Sequence, residues 1–178
     1  MELSNLRLVR LTPDSLIKPF DCGDDDLNDF VLNDSLNYLN ELLAVTYVLE
    51  SDTETIAFFS LLNDKISLQD IISKNQWKKV QGKMHNRKGK PSKSYPAMKI
   101  GRLGVSSHRQ GEGLGKIILD YIKQLFISNN RTGCKFITVD AYNVSTKFYE
   151  QNGFKFFPAK EPDNHTKLMY FDLISLTS

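Results

Sequence analysis

A chain of 178 residues with 40% hydrophobic residues, 11% aromatic residues and a formal net charge of +2 can bury one core at the usual size of a single domain, which excludes intrinsic disorder for most of its length. No apolar run approaches the ~20 residues of a membrane span, the Met1-Glu2-Leu3-Ser4 start lacks the basic and apolar regions of a signal peptide, and Cys22 and Cys134 offer neither a disulfide framework nor zinc spacing; a cytoplasmic protein with two unpaired thiols and no metal is expected. The near-neutral total hides a segregation of charge. Eleven Lys and Arg residues and no acid lie between Asp70 and Glu112, which leaves the rest of the chain at −9 and predicts a basic and an acidic face.

Leu6 to Leu11 alternates apolar and charged residues in part, as a half-buried strand does. After the turn signals Pro13 and Pro19, the acids Asp24, Asp25 and Asp26 stand where a helix start favours negative charge. Leu27, Phe30, Val31, Leu32, Leu36, Leu39 and Leu43 then predict one apolar helix face. Val45–Leu49 and Ile56–Leu62, separated by polar residues, read as a β-hairpin. Apolar spacing over Ile66–Ile72 predicts a short helix. From Lys74 to Lys93 charge dominates, and Gly82, Gly89 and Pro91 predict no regular element. A strand follows at Ala97–Val105, then a glycine-rich turn and a helix with Leu114, Ile117, Ile118, Tyr121, Ile122, Leu125 and Phe126 on its apolar face. Phe136–Val139 reads as a strand, Val144–Gln151 as a short helix ended by Asn152-Gly153, and Phe154–Phe157 and Leu168–Leu173 as the last strands. The order predicts a mixed α/β fold in one domain over residues 1–178.

Leu103-Gly104-Val105-Ser106-Ser107-His108-Arg109-Gln110-Gly111-Glu112-Gly113-Leu114-Gly115-Lys116 is the informative segment. Glycines at alternate positions between a strand and a helix start let backbone N–H groups converge on one point, with the partial positive charge of the helix end beside them. Such a turn can bind phosphate, and it can equally be a tight strand-to-helix connection. It does not fit the dinucleotide fingerprint G-x-G-x-x-G, and there is no G-x-x-x-x-G-K-[ST].

Gln110-Gly111-Glu112-Gly113-Leu114-Gly115 resembles the Q/R-x-x-G-x-G/A signature of the GNAT superfamily of N-acetyltransferases, and Asn143 to Phe154, with Phe148-Tyr149 before Gly153-Phe154, resembles that family's second element. The resemblance implies a single-domain GNAT fold: a mixed twisted sheet splayed between its fourth and fifth strands, flanked by helices, with acetyl-CoA in the cleft. It implies pyrophosphate on the N–H groups of Gln110 to Gly115, with Arg109, Glu112, Leu114 and Lys116 in the same binding segment, and pantetheine amides paired with the backbone near Leu103, Gly104 and Val105. Asn143 and Ser145 match positions that often touch the cofactor, and both also suit capping of the short helix. Phe148 is expected to pack against the cofactor. Tyr149 is the candidate proton donor to the leaving thiolate, since a phenol of pKa near ~10 is protonated at pH 7; the alternative is a core aromatic. No carboxylate is an obvious general base: Glu112 lies in the turn, Asp140 ends a strand, and His108 precedes the turn.

Within the first half, Phe20-Asp21-Cys22-Gly23-x-x-x-Leu27-Asn28-x-Phe30, Thr46-Tyr47-Val48, Phe58-Phe59-Ser60-Leu61 and Gly101-Arg102-Leu103 resemble the acetyltransferase toxins of bacterial toxin-antitoxin pairs. That resemblance implies aminoacyl-tRNA as acceptor and a small DNA-binding antitoxin as partner, in a subgroup that often forms homodimers. An α-amino group, with its pKa near ~7.7–8.0, can arrive neutral without strong base catalysis. Basic residues between Lys74 and Lys93, interleaved with Trp77, His85 and Tyr95, suit an RNA backbone with base stacking, or else a solvated loop. Transfer to a small amine or protein N-terminus, and a non-catalytic module binding acetyl-CoA or nucleic acid, stay open as rival readings.

Overall fold

The computed structural model describes residues 5–81, 92–128, 132–160 and 163–177, and among these described residues it holds seven strands and five short-to-medium helices. They are β1 (Arg7–Arg10), α1 (Asp25–Asp29), α2 (Ser35–Asn40), β2 (Val45–Glu50), β3 (Thr55–Ser67), α3 (Lys74–Gln81), β4 (Ser94–Val105), α4 (Leu114–Leu125), β5 (Phe136–Tyr142), α5 (Thr146–Gln151), β6 (Lys155–Phe156) and β7 (Thr166–Asp172). The strands hydrogen-bond in the order β1-β2-β3-β4-β5-β7-β6. Strands β4 and β5 run parallel, as a helical crossover between sheet neighbours requires. Two compact units divide the residues: Met1–Leu62 with Ile100–Ile122, and Asn63–Lys99 with Lys123–Ser178.

In the first unit, β2 pairs antiparallel with β1 (Leu8 opposite Leu49) and with β3 (Val48 opposite Phe58), which is the predicted hairpin. Its core gathers Leu11, Phe20, Phe30, Val31, Val48 and Phe58. Asp24 caps α1 by accepting from Leu27 N at 3.0 Å, and Asp25 and Asp26 occupy the first turn, where negative charge offsets the partial positive end of the helix. The single helix expected through Leu43 is instead interrupted. Phe30–Asp34 forms one wider π turn, which turns Leu32 outward while Phe30 and Val31 are both buried. Helix α2 stops at Asn40, and Leu42, at φ 57°, swings the chain into β2, so Leu43 is exposed rather than part of an apolar helix face.

The second unit pairs β5 with β7 from Phe136 opposite Asp172 to Tyr142 opposite Thr166, and β6 with β7 at Lys155 opposite Tyr170. Its core comprises Ile66, Ile71, Trp77, Val80, Tyr95, Ala97, Phe136, Phe157 and Tyr170. Two expectations fail here. Residues 66–72 do not form a helix: β3 runs on to Ser67, a 3₁₀ turn covers Leu68–Asp70, and Ile71 bridges to Ala159. The basic run does begin with a regular element, because Trp77, Val80 and Gln81 place one buried stripe on α3 while Lys74, Lys78 and Lys79 stay exposed. That i, i+3, i+4 stripe outweighs the surrounding charge. Gly82, Lys83, His85, Arg87, Lys88, Gly89, Lys90 and Pro91 lie outside the described residues. Among the described residues no helix is long and apolar enough to cross a membrane.

Candidate functional site

The glycine-rich turn belongs to the first unit. Strand β4 delivers Leu103, Gly104 and Val105, a single 3₁₀ turn spans Ser107–Arg109, and α4 begins at Leu114. Gly111 and Gly113 have φ of 81° and 83°, the left-handed region that costs an L-residue roughly 1–2 kcal/mol. A Cβ built on either meets nothing within 4 Å, so backbone conformation, not crowding, demands glycine here. The first intrahelical bond runs from Ile117 N to Gly113 O at 3.2 Å, which leaves the N–H groups of Leu114, Gly115 and Lys116 without helical acceptors. Alternating left-handed glycines before free N–H groups form an anion-binding arrangement. The neighbouring charges are internally matched: Arg109 Nε donates to Glu112 Oε2 at 3.0 Å, and Lys116 pairs with Asp120. Glycine at 104 has a different origin. A Cβ there would stand 2.8 Å from Phe58 Cε1 and 3.2 Å from Phe20 Cζ, two rings in edge-on contact at 5.3 Å.

The loop before α1 holds the front of this turn. Ser107 N donates to Asp21 O at 2.9 Å, and Gln110 Nε2 donates to Cys22 O at 2.9 Å and to Val105 O at 3.0 Å. Asp21 Oδ1 in turn accepts from Gly23 N (2.8 Å) and Asn28 Nδ2 (2.9 Å), while Asn28 Oδ1 accepts from Cys22 N (2.9 Å). These bonds to the carboxylate hold its pKa below the ordinary aspartate value. In the sequence the Asp21-Cys22-Gly23 motif and Asn28 carry a resemblance but no role, and their spacing is the available signal of this network.

Asn143, Ser145, Phe148 and Tyr149 belong to the second unit. Neither polar residue caps α5. Asn143 Nδ2 donates to Asn164 O at 2.9 Å, and the Ser145 side chain makes no capping bond. Tyr149 is 6% exposed, with its ring edge-on to Phe148 (5.1 Å) and Phe154 (5.3 Å). Its carbonyl accepts from both Asn152 N and Phe154 N at 3.0 Å, and Gly153 at φ 84° makes that reversal. Among the described residues the Tyr149 hydroxyl has no hydrogen-bond partner, and its oxygen is not fully buried; burial of the side chain pushes its pKa above the ordinary phenol value. The group is therefore protonated at neutral pH and free to donate. Sequence reasoning missed Lys123, which is 7% exposed, donates from Nζ to Asn152 O at 3.0 Å, and lies 4.6 Å from the Phe171 ring centroid. Nothing in the helical pattern distinguishes it from a solvated lysine.

Other candidates are already engaged. Asp140 forms an ion pair with Lys99. His108 is exposed, with Nδ1 3.1 Å from Ser106 Oγ and Nε2 3.4 Å from Glu54 Oε1. Trp77 and Tyr95 are not available for base stacking: both are buried, stacked on each other at 5.6 Å, and tied by Trp77 Nε1 to Ser92 O and by Gln81 Nε2 to Tyr95 Oη.

Residues 85–171 match the acetyltransferase (GNAT) domain family. No curated protein sequence matches the chain. Among solved structures it is similar to a tyrosine-to-phenylalanine mutant of KacT (20% identity, 97% of this chain and 98% of that one, TM-score 0.76). It is also similar to AtaT complexed with acetyl-methionyl-tRNAfMet (21% identity, 97% of each chain, TM-score 0.76) and to AtaTR bound with acetyl-CoA (21% identity, 98% and 97%, TM-score 0.76). Identity at this level establishes shared architecture, and the turn after β4 and Tyr149 both fall inside the matched family segment; residues 85–171 match the GNAT acetyltransferase domain, in a chain that has the GNAT fold.

Proposed function

We propose that residues 1–178 act as one acetyl-CoA-dependent N-acetyltransferase whose acceptor is the amino group of an aminoacyl-tRNA, the activity of a toxin held in check by a small DNA-binding antitoxin in the cytoplasm. The observation that carries the donor half is the turn itself: Gly111 and Gly113 in left-handed conformation ahead of free helix N–H groups, within a segment that matches an acetyltransferase domain. Likeness over 97% of each chain to AtaT complexed with acetyl-methionyl-tRNAfMet supports the acceptor half.

In this reading the N–H groups from Gln110 to Gly115 bind the pyrophosphate, and the backbone of Leu103 to Val105 pairs with the pantetheine amides. The neutral amine attacks the thioester carbonyl, the tetrahedral adduct collapses by breaking the C–S bond, and the proton leaves the ammonium nitrogen for solvent. Tyr149 donates a hydrogen bond to the sulfur as negative charge builds there. Full transfer of its proton is uphill, since a phenol raised above ~10 is a weaker acid than a thiol of ~8.5. Phe148 packs beside the donor, and Asn143 and Ser145 border it.

Mass spectrometry of aminoacyl-tRNA, peptide and polyamine mixtures incubated with the protein and acetyl-CoA tests the proposal. Acetyl groups are expected on the aminoacyl-tRNA. Acetylation confined to peptides or polyamines would refute the acceptor assignment, and none anywhere would refute catalysis.

A further inference from the structure

We propose that Asp21 and Asn28 are positioning residues for donor binding, acting through the Cys22 carbonyl and Gln110 to hold the glycine-rich turn in its binding conformation. This rests on the reading of that turn as the pyrophosphate site.

The Asn28 carboxamide is used at both ends. Its oxygen accepts from Cys22 N and its nitrogen donates to Asp21 Oδ1, which also takes Gly23 N. With Gly23 at φ 80°, these three bonds fix the Asp21-Cys22-Gly23 backbone so that its two consecutive carbonyls face β4's exit. The Asp21 carbonyl receives Ser107 N (2.9 Å) and Ser107 Oγ (3.2 Å), and the Cys22 carbonyl receives Gln110 Nε2 (2.9 Å). Ser107 opens the 3₁₀ turn and Gln110 follows it directly, ahead of Gly111. Fixing both sets the point from which the N–H groups of residues 111–115 emerge, and hydrogen bonds to a ligand weaken steeply once misaligned. Glycines at 111 and 113 supply the required φ but no stiffness of their own. A turn that must be flexible in sequence is thus made rigid by a neighbour. Aspartate at 28 lacks the donor, alanine lacks both functions, and glutamine is a methylene too long for the same pair of bonds.

Calorimetry on the full chain would compare acetyl-CoA with acetyl-pantetheine, which keeps the thioester and amides but has no pyrophosphate. Asn28→Ala is expected to weaken acetyl-CoA about tenfold and leave acetyl-pantetheine within about twofold, a split that general damage to the fold would not produce. Gln110→Ala should give a similar loss, and the double variant should add little to either single change, because both act through one carbonyl. Asn28→Asp, closest in shape, serves as the second variant and should behave like Asn28→Ala. Unchanged acetyl-CoA affinity, an equal loss for both ligands, additive losses in the double variant, or failure of both position-28 variants to fold would each overturn the inference. A wild-type protein that binds the two ligands equally well would overturn the pyrophosphate reading, and this inference with it.

Discussion

Replacing Tyr149 by Phe separates catalysis from packing, because the ring carries the packing and the hydroxyl the proposed chemistry. The ring keeps its edge-on contacts with Phe148 and Phe154, and the lost hydroxyl has no protein partner among the described residues. Removing a hydroxyl that makes no bond among the described residues and is not itself fully buried should leave stability within about 1 kcal/mol. For a chain of this size that corresponds to roughly 2–4 °C in Tm. Loss of the hydrogen bond donated to the departing sulfur should lower kcat by about 10²–10⁴, or ~2.7–5.4 kcal/mol of transition-state stabilisation, with acetyl-CoA affinity within about twofold. Thermal denaturation by circular dichroism and single-turnover acetylation of aminoacyl-tRNA read the two effects separately. Because burial raises the phenol's pKa above its ordinary value, the hydroxyl stays protonated up to about pH 10, and any decline of rate below that pH should persist in the variant. A kcat within threefold of wild type in a chemistry-limited assay, with the fold intact, would refute the role of Tyr149 and return it to the core.

Gly113→Asp should weaken acetyl-CoA at least tenfold by calorimetry, since φ of 83° disfavours any Cβ and a carboxylate would repel phosphate; unaltered affinity would remove the turn from the donor site. Trp77→Ala should destabilise the fold by about 3–5 kcal/mol in denaturant unfolding, because the indole is buried against Tyr95; a stable variant that loses only tRNA binding would restore the stacking role. Lys78→Ala with Lys79→Ala should reduce the log–log salt dependence of tRNA binding by roughly 0.7–0.9 per lysine if each meets a phosphate, and an unchanged slope assigns both exposed side chains to solvent. Burial pushes the Cys134 thiol to about 11 from an ordinary 9.0. A raised folded-state pKa gives stability that is present below pH 9 and lost as pH rises towards 11, so Cys134→Ala should flatten the fall of Tm across that window.

The strand, glycine turn and helix of residues 103–116 were legible, because such a turn is a local object. Strand, glycines and helix follow one another within fourteen residues, and their φ requirements are written in the residue types. The hairpin β2–β3 and the strands β5 and β7 were legible for the same reason, each carrying its own apolar run. Helix α3 was not, since Trp77 and Val80 alone among lysines look solvated until Tyr95 and Phe136, distant in sequence, supply the surface that buries them. Local spacing likewise predicted a helix at 66–72, but there an extended β3 and the Ile71–Ala159 bridge bury Ile66 and Ile71 against the same core. The partners of Asp21 and Asn28 were beyond reach for the most physical of reasons. Hydrogen bonds between residue 22 and residue 110 exist only once the intervening chain has folded back, and no periodicity records which carbonyl a glutamine 88 residues away will find.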